Sequence, residues 1–144
     1  MIIRATENDL PCAAALAREL WPGHTQAELG KELAPLARGE GGALFLLCLE
    51  GQPCGFAQCQ LRHDYVEGTF SSPVGYLEGL YVRPGQRGKG WGRALVRRCE
   101  DWARGEGCLE FASDCGLDNA GSLAFHLKAG FSEAGRIICF AKRL

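Results

Sequence analysis

The stretch from Leu77 to Leu95 constrains this chain more than any other. An apolar, strand-like run to Val82 is followed by Arg83-Pro84-Gly85-Gln86-Arg87-Gly88-Lys89-Gly90-Trp91-Gly92, with glycine at alternate positions from Gly88. The apolar spacing after that loop predicts an amphipathic helix from Gly90 to Gly105. Glycines lacking Cβ atoms let the loop turn tightly and let a ligand approach the backbone. The free N–H groups of such a loop and of the helix's first turn point outward together, at the positive end of the helix dipole. That arrangement takes a phosphate or a diphosphate.

The spacing excludes two familiar phosphate loops. A nucleoside-triphosphate loop needs Gly-Lys followed by Ser or Thr, whereas Gly88-Lys89 is followed by Gly90. A dinucleotide fingerprint needs a third glycine further along and a place on the first strand of its domain, and this loop lies past the middle of the chain. The pattern that fits is Arg87-x-x-Gly90-x-Gly92.

A chain of 144 residues with 47% hydrophobic and 23% charged residues reads as one soluble globular domain spanning 1–144. A net charge of −1 and no basic block outside the loop exclude nucleic-acid binding as its main task. The opening residues Met1 to Glu7 carry charges and no continuous apolar run. Neither a signal peptide nor a membrane span is therefore expected, and the predicted location is the cytoplasm. The eight cysteines form no Cys-x-x-Cys, and the three histidines do not sit at zinc-finger spacing, so no metal is implied. Cys48, Cys99 and Cys139 read as small buried hydrophobes, and Cys115 beside Asp114 as a candidate site thiol.

Along the chain the patterns predict a strand at Ile2–Arg4, then a helix to about Leu20 capped by Thr6 or Asn8. A second helix follows Thr25, with Leu29, Leu33 and Leu36 as its stripe. Strands are expected at Ala43–Leu49 and Cys54–Arg62, joined by a hairpin at 50–53, and at Gly75–Val82, Cys108–Ser113 and Phe131–Lys142. Residues 63–73 read as a polar excursion, and Asn119 to Ala129 as a short helix. The expected fold class is mixed α/β: a twisted, mostly antiparallel sheet flanked by about four helices.

The loop Arg87-x-x-Gly90-x-Gly92 resembles the acetyl-coenzyme A loop of the GCN5-related N-acetyltransferase (GNAT) superfamily. A second segment, Asn119-x-x-Ser122-x-x-Phe125-His126-x-x-x-Gly130-Phe131, resembles the family's pantetheine-side helix. There His126 stands where the family usually has a tyrosine that protonates the leaving thiolate. The resemblance implies acetyl-coenzyme A as co-substrate. It implies cofactor contacts at Leu80, Tyr81, Val82, Arg87, Gly88, Lys89, Gly90, Trp91, Gly92, Arg93, Asn119 and His126.

A narrower set of blocks covers nearly the whole chain: Leu20 to His24, Arg62 to Val66, Ser71 to Val74, Leu77 to Leu80, and Ala112 to Asp114. Together they look like the short, chromosomal-type aminoglycoside 6′-N-acetyltransferases, and Gly135 departs from that subgroup's acidic residue. The resemblance implies acetyl transfer to the 6′-amine of an aminoglycoside antibiotic, conferring resistance, by direct attack in a ternary complex of a homodimer whose last strands form the interface. A polycationic sugar calls for carboxylates and aromatic faces, supplied by Trp21, His24, Tyr65, Glu78 and Asp114. Asp114 and then Glu78 are the candidate catalytic carboxylates, because an ammonium must lose a proton before it attacks. The bland alternatives are a structural ion pair for Glu78 and a turn or cap for Asp114. Two other functions stay open: acetyl transfer to a polyamine, an amino sugar or a protein amine, and a non-catalytic coenzyme A sensor.

Overall fold

The computed structural model of the protein describes residues 1–144. Strand β1 (Ile2–Arg4) leads into a reciprocal cap, in which the Thr6 amide donates to the Asp9 carboxylate at 2.8 Å. A single tight turn at Glu7–Asp9 then feeds helix α1 (Leu10–Leu20). Helix α2 (Gln26–Ala37) opens on a second such cap: Thr25 Oγ1 accepts from the Glu28 amide at 3.1 Å, and the Thr25 amide donates to the Glu28 carboxylate at 3.0 Å. Leu29, Leu33 and Leu36, spaced at one helical face, are all buried.

Strands β2 (Gly42–Leu49) and β3 (Gln52–Arg62) form a hairpin closed by Glu50 and Gly51, with φ of 50° and 75°. Positive φ at both turn residues matches the right-handed twist of the strands it joins. β2 is almost continuously apolar because both its faces are covered. Leu44 and Leu46 pack with α1 and α2, while Ala43, Phe45 and Leu47 pack with Leu95, Val96 and Cys99 of helix α3 (Trp91–Gly105). Strands β4 (Val74–Val82) and β5 (Phe111–Ser113) complete a five-stranded sheet in the order β1-β2-β3-β4-β5. Its pairs are antiparallel except β4–β5, which are parallel and joined through α3.

That last pair creates the feature on which the site depends. β4 and β5 pair only at Gly75–Phe111, Tyr76–Ala112 and Leu77–Ser113. Beyond Leu77, β4 continues to Val82 against β3 alone. The sheet therefore forks at Leu77 and Ser113, and helix α4 (Ala120–Lys128) follows the β5 arm of the fork.

The closing strand expected at Phe131–Lys142 does not form. Past Phe131 no residue makes a backbone hydrogen bond, and residues 132–144 are exposed, with Ile137, Ile138 and Phe140 at 69%, 76% and 91%. The apolar pattern is strand-like, but a strand needs a neighbouring edge and this arm lies on none within its own chain. Cys139, expected in the core, is exposed for the same reason. β5 is also shorter than the predicted Cys108–Ser113, since only three of those residues pair with β4.

Candidate active site at the fork of the sheet

The glycine loop after β4 is shaped by its own backbone and side chains. Gly88 and Gly90 have φ of 74° and 85°, a region closed to most side chains, and Gly90 caps α3 from that conformation. A Cβ on either would meet nothing within 4 Å, so both face open space. Gly92 serves a different purpose, for its Cβ would come within 3.0 Å of the Phe125 ring where α4 packs on α3. The amides of Gly88, Lys89 and Gly90 donate to no group in the chain, and those of the first turn of α3 lack helical partners by geometry. Arg87 turns inward: its Nε donates to the Val82 carbonyl at 2.6 Å, and its guanidinium lies 5.5 Å over the Tyr81 ring. Lys89 Nζ donates to Gln86 Oε1 at 2.9 Å, and Lys89 and Arg93 are both exposed cations of the loop.

Donors continue up the β4 arm. The Arg83 amide donates to the Cys54 carbonyl at 2.8 Å. In an antiparallel ladder hydrogen-bonded pairs alternate with non-bonded ones, so Gly55–Val82 and Ala57–Leu80 are non-bonded pairs. The N–H groups of Val82 and Leu80 thus point away from β3, into the fork. On the opposite arm, Asn119 Oδ1 caps α4 by accepting from the Ser122 amide at 3.1 Å, and His126 lies half-buried one turn further on. This channel, lined by amides and closed at its apex by Ser113, suits an extended chain with a diphosphate at one end.

The other face of the sheet carries the acidic and aromatic groups. Trp21, His24, Gln58, Glu32 and Glu78 line a pocket of about 230 Å³. Trp21 reaches it because Gly79 has no side chain: a Cβ there would lie 2.6 Å from the indole edge. Tyr65, Arg62, Tyr76 and Asp114 line a larger cleft of about 890 Å³, which wraps the β5 edge and also takes in Ser113 and His126. The excursion at 63–73 that carries Tyr65 is pinned by Glu110, which accepts from the Phe70 amide at 2.8 Å and the Ser71 hydroxyl at 2.5 Å. Those bonds, the hydroxyl's foremost, hold the Glu110 carboxyl below its usual range.

The two cavities meet through side chains that the sequence reading did not single out. Arg62 grips Glu78, with Nη2 at 2.8 and 3.0 Å from the two carboxylate oxygens and Nε at 3.0 Å from one of them. Its guanidinium also stacks 3.4 Å over the Tyr76 ring, and the Tyr76 hydroxyl donates to Asp114. Burial, followed by the charge-assisted bond to Asp114, pushes the Tyr76 phenol well above its ordinary range, so it stays a donor. Glu78 therefore sits in a closed ion pair, whereas Asp114 is exposed and held by a neutral partner. Tyr76 had a readable signal, since it stands two residues before Glu78 and so on the same strand face. Cys115 lies at the edge of this cleft as a free thiol, and no cluster of His, Cys, Asp and Glu has the makings of a metal site.

Known proteins resemble this chain over most of its length. The model of the acetyltransferase (GNAT) family matches residues 10–131. An aminoglycoside N(6′)-acetyltransferase type 1 of Stenotrophomonas maltophilia is 44% identical over 140 residues, covering 96% of this chain and 90% of that protein. The structure of AAC(6′)-Iy with the bisubstrate analog CoA-S-monomethyl-acetylneamine superposes with a TM-score of 0.92 at 35% identity, covering 100% of this chain and 98% of that one. AAC(6′)-Iy in complex with CoA gives 0.95 at 34% identity, covering 100% of this chain and 95% of that one.

Proposed function

This chain belongs to the GNAT family of acetyltransferases, and from that premise we propose that it transfers an acetyl group from acetyl-coenzyme A to the 6′-amine of an aminoglycoside. Bound acetyl-coenzyme A supplies an acyl thioester, already activated, and no covalent enzyme intermediate is needed. The amides of Gly88, Lys89, Gly90 and the first turn of α3 hold its diphosphate, with Arg93 adding charge. Arg87 and Tyr81 shape the loop from behind. The N–H groups of Leu80 and Val82 line the acyl end, where one of them polarises the carbonyl.

Asp114 takes the proton of the attacking amine, directly or through one water, and Tyr76 aims its carboxylate. Trp21 and Tyr65 offer apolar ring faces to the sugars, while Glu78 and His24 bind the cationic ring system from the smaller pocket. Arg62 keeps the paired Glu78 in place until a substrate ammonium competes for it. The observation that carries this reading is the position of Asp114: one residue past the last β4–β5 pair, at the mouth of the fork.

The proposal extends to a homodimer. The arm 132–144 presents Ile137, Ile138 and Phe140 to solvent, and the cleft beside β5 is lined on its far side by residues 131–137 and Cys139. A second copy covering both buries the apolar groups and supplies the missing strand neighbour. It also extends to action in the cytoplasm, where acetyl-coenzyme A is consumed, and to drug resistance as the result of acetylating an antibiotic.

Release of free thiol from acetyl-coenzyme A, measured with neomycin and with paromomycin, tests the reading. The two drugs differ in bearing an amine or a hydroxyl at the 6′ position. Turnover with neomycin alone is expected. Turnover only with spermidine or peptides would assign a different acceptor, and none with any amine would make the chain a coenzyme A sensor.

A further inference from the structure

His126 and Ser113 form a hydrogen-bonded pair at the apex of the fork. His126 Nδ1 lies 2.7 Å from the Ser122 carbonyl oxygen, one helical turn back, and Nε2 lies 2.8 Å from Ser113 Oγ. A carbonyl oxygen can only accept, so Nδ1 keeps its hydrogen in either protonation state of the ring. Nε2 is left to accept from Ser113 when the ring is neutral and to donate to it when the ring is charged. The Ser122 hydroxyl, 3.3 Å from Nδ1, and the rings of Phe125 and Phe131, 5.9 and 5.1 Å away, fix the imidazole plane.

Ser113 stands where the wire has somewhere to lead. It is the last residue of β5 paired with β4, with its Oγ 3.4 Å from the Leu77 carbonyl, at the apex of the fork. Ser113, Asp114 and His126 line one cleft, but their partners differ: Asp114 accepts from Tyr76, and Ser113 bonds to His126. Ser113 faces the helix that carries His126.

We propose that Ser113 and His126 are a proton relay to the departing thiolate, Ser113 as the catalytic donor and His126 as the positioning residue that recharges it. The inference rests on the acetyl-transfer reading above. In that reaction the amine nitrogen bonds to the acyl carbon, the carbon–sulfur bond breaks, and the electron pair leaves on sulfur. Ser113 Oγ passes its hydrogen to that sulfur while the charged ring passes its Nε2 hydrogen to Oγ. The ring ends neutral with Nδ1 still bonded to the Ser122 carbonyl, and a proton from solvent resets it. The amine's own proton goes to Asp114, whose partner is Tyr76 and not His126, so base and acid are separate groups.

The test compares acetyl-coenzyme A with its selenium counterpart, whose selenolate leaves without needing a proton. Ser113→Ala and His126→Asn are expected to lower kcat about 100-fold with the thioester, but only about threefold with the selenoester. Ser113→Thr, which retains a hydroxyl, should restore most of the loss. A purely structural role would penalise both esters equally or neither, and either result overturns the relay while leaving the acetyl-transfer reading intact. A parent protein that releases no thiol or selenol with any amine overturns that reading and the relay with it. A readout independent of turnover is the ¹⁵N spectrum of His126 in the free protein. In the neutral ring at high pH the Nδ1–H tautomer is expected, with an Nε2 resonance that moves in Ser113→Ala; an Nε2–H tautomer refutes the pair.

Discussion

Replacing Tyr76 by phenylalanine removes one hydroxyl from the site and little else. Tyr76 is 5% exposed and its ring carries Arg62 stacked 3.4 Å above it, and phenylalanine preserves both the packing and the stack. What is lost is the bond to Asp114. A hydrogen bond to a charged group is worth about 1.5–3 kcal/mol, which sets a fall in kcat/KM of about 10- to 150-fold if the bond counts fully in the transition state. Asp114→Asn removes the base itself and should cost about 100- to 10,000-fold. The informative variant is the double one. If Tyr76 acts through Asp114, adding Tyr76→Phe to Asp114→Asn should cost far less than it does alone, with a coupling of about 1 kcal/mol or more. Coenzyme A affinity, measured by calorimetry, should not change in any of the three. Two full, independent losses would refute the assignment of Tyr76 as the group that orients the base, and an undiminished Asp114→Asn would remove Asp114 from the chemistry.

Three further outcomes are expected. Gly90→Ala forces a side chain to a φ of 85° and places a methyl group in the open cradle, so coenzyme A should bind about tenfold more weakly, whereas Gly85→Ala, where φ is not positive, should be near neutral; equal effects would place the diphosphate elsewhere. Ile138→Asp with Phe140→Asp should give a monomer in sedimentation equilibrium, and in the parent the Cys139 thiol should react with a disulfide reagent more slowly than Cys12; a parent already monomeric would dismiss the dimer. The Glu19 carboxyl is held below its usual range chiefly by its hydrogen bond from Arg83, so its contribution is present above the unfolded value and fades as pH falls through the folded one. Glu19→Gln should therefore cost about 0.2–1 kcal/mol near neutrality, small because both side chains are partly exposed, and nothing in acid; a loss independent of pH would contradict the ion pair.

The parts of the fold written in local chemistry were legible in the sequence. Thr25 and Glu28 announce the start of α2, the pair Glu50-Gly51 marks a hairpin, and Gly90 marks the turn into α3. The conformation of the glycine loop was readable for the same reason, since its glycines and free amides belong to one contiguous stretch. The acceptor side was harder. Glu78 and Asp114 stood out as charges, but whether a charge is free or paired depends on what the sheet brings beside it. Arg62 is sixteen positions from Glu78 in the chain, and Tyr76 is thirty-eight from Asp114. Such pairs arise only from strand register, which one sequence does not display. The arm at 132–144 misled for a related reason: its apolar spacing describes a strand accurately, but spacing says nothing of whether the neighbouring edge belongs to the same molecule.

The account stands on the backbone amides of Gly88, Lys89, Gly90 and the first turn of α3 holding the diphosphate of coenzyme A, and titration of ¹⁵N-labelled protein with coenzyme A addresses this without turnover. The amide resonances of Gly88, Lys89, Gly90 and Trp91 should move furthest and saturably, and pantetheine, which lacks the diphosphate, should leave them nearly unmoved. Resonances in this loop that stay in place while coenzyme A binds, or that respond equally to pantetheine, would contradict the account at its base.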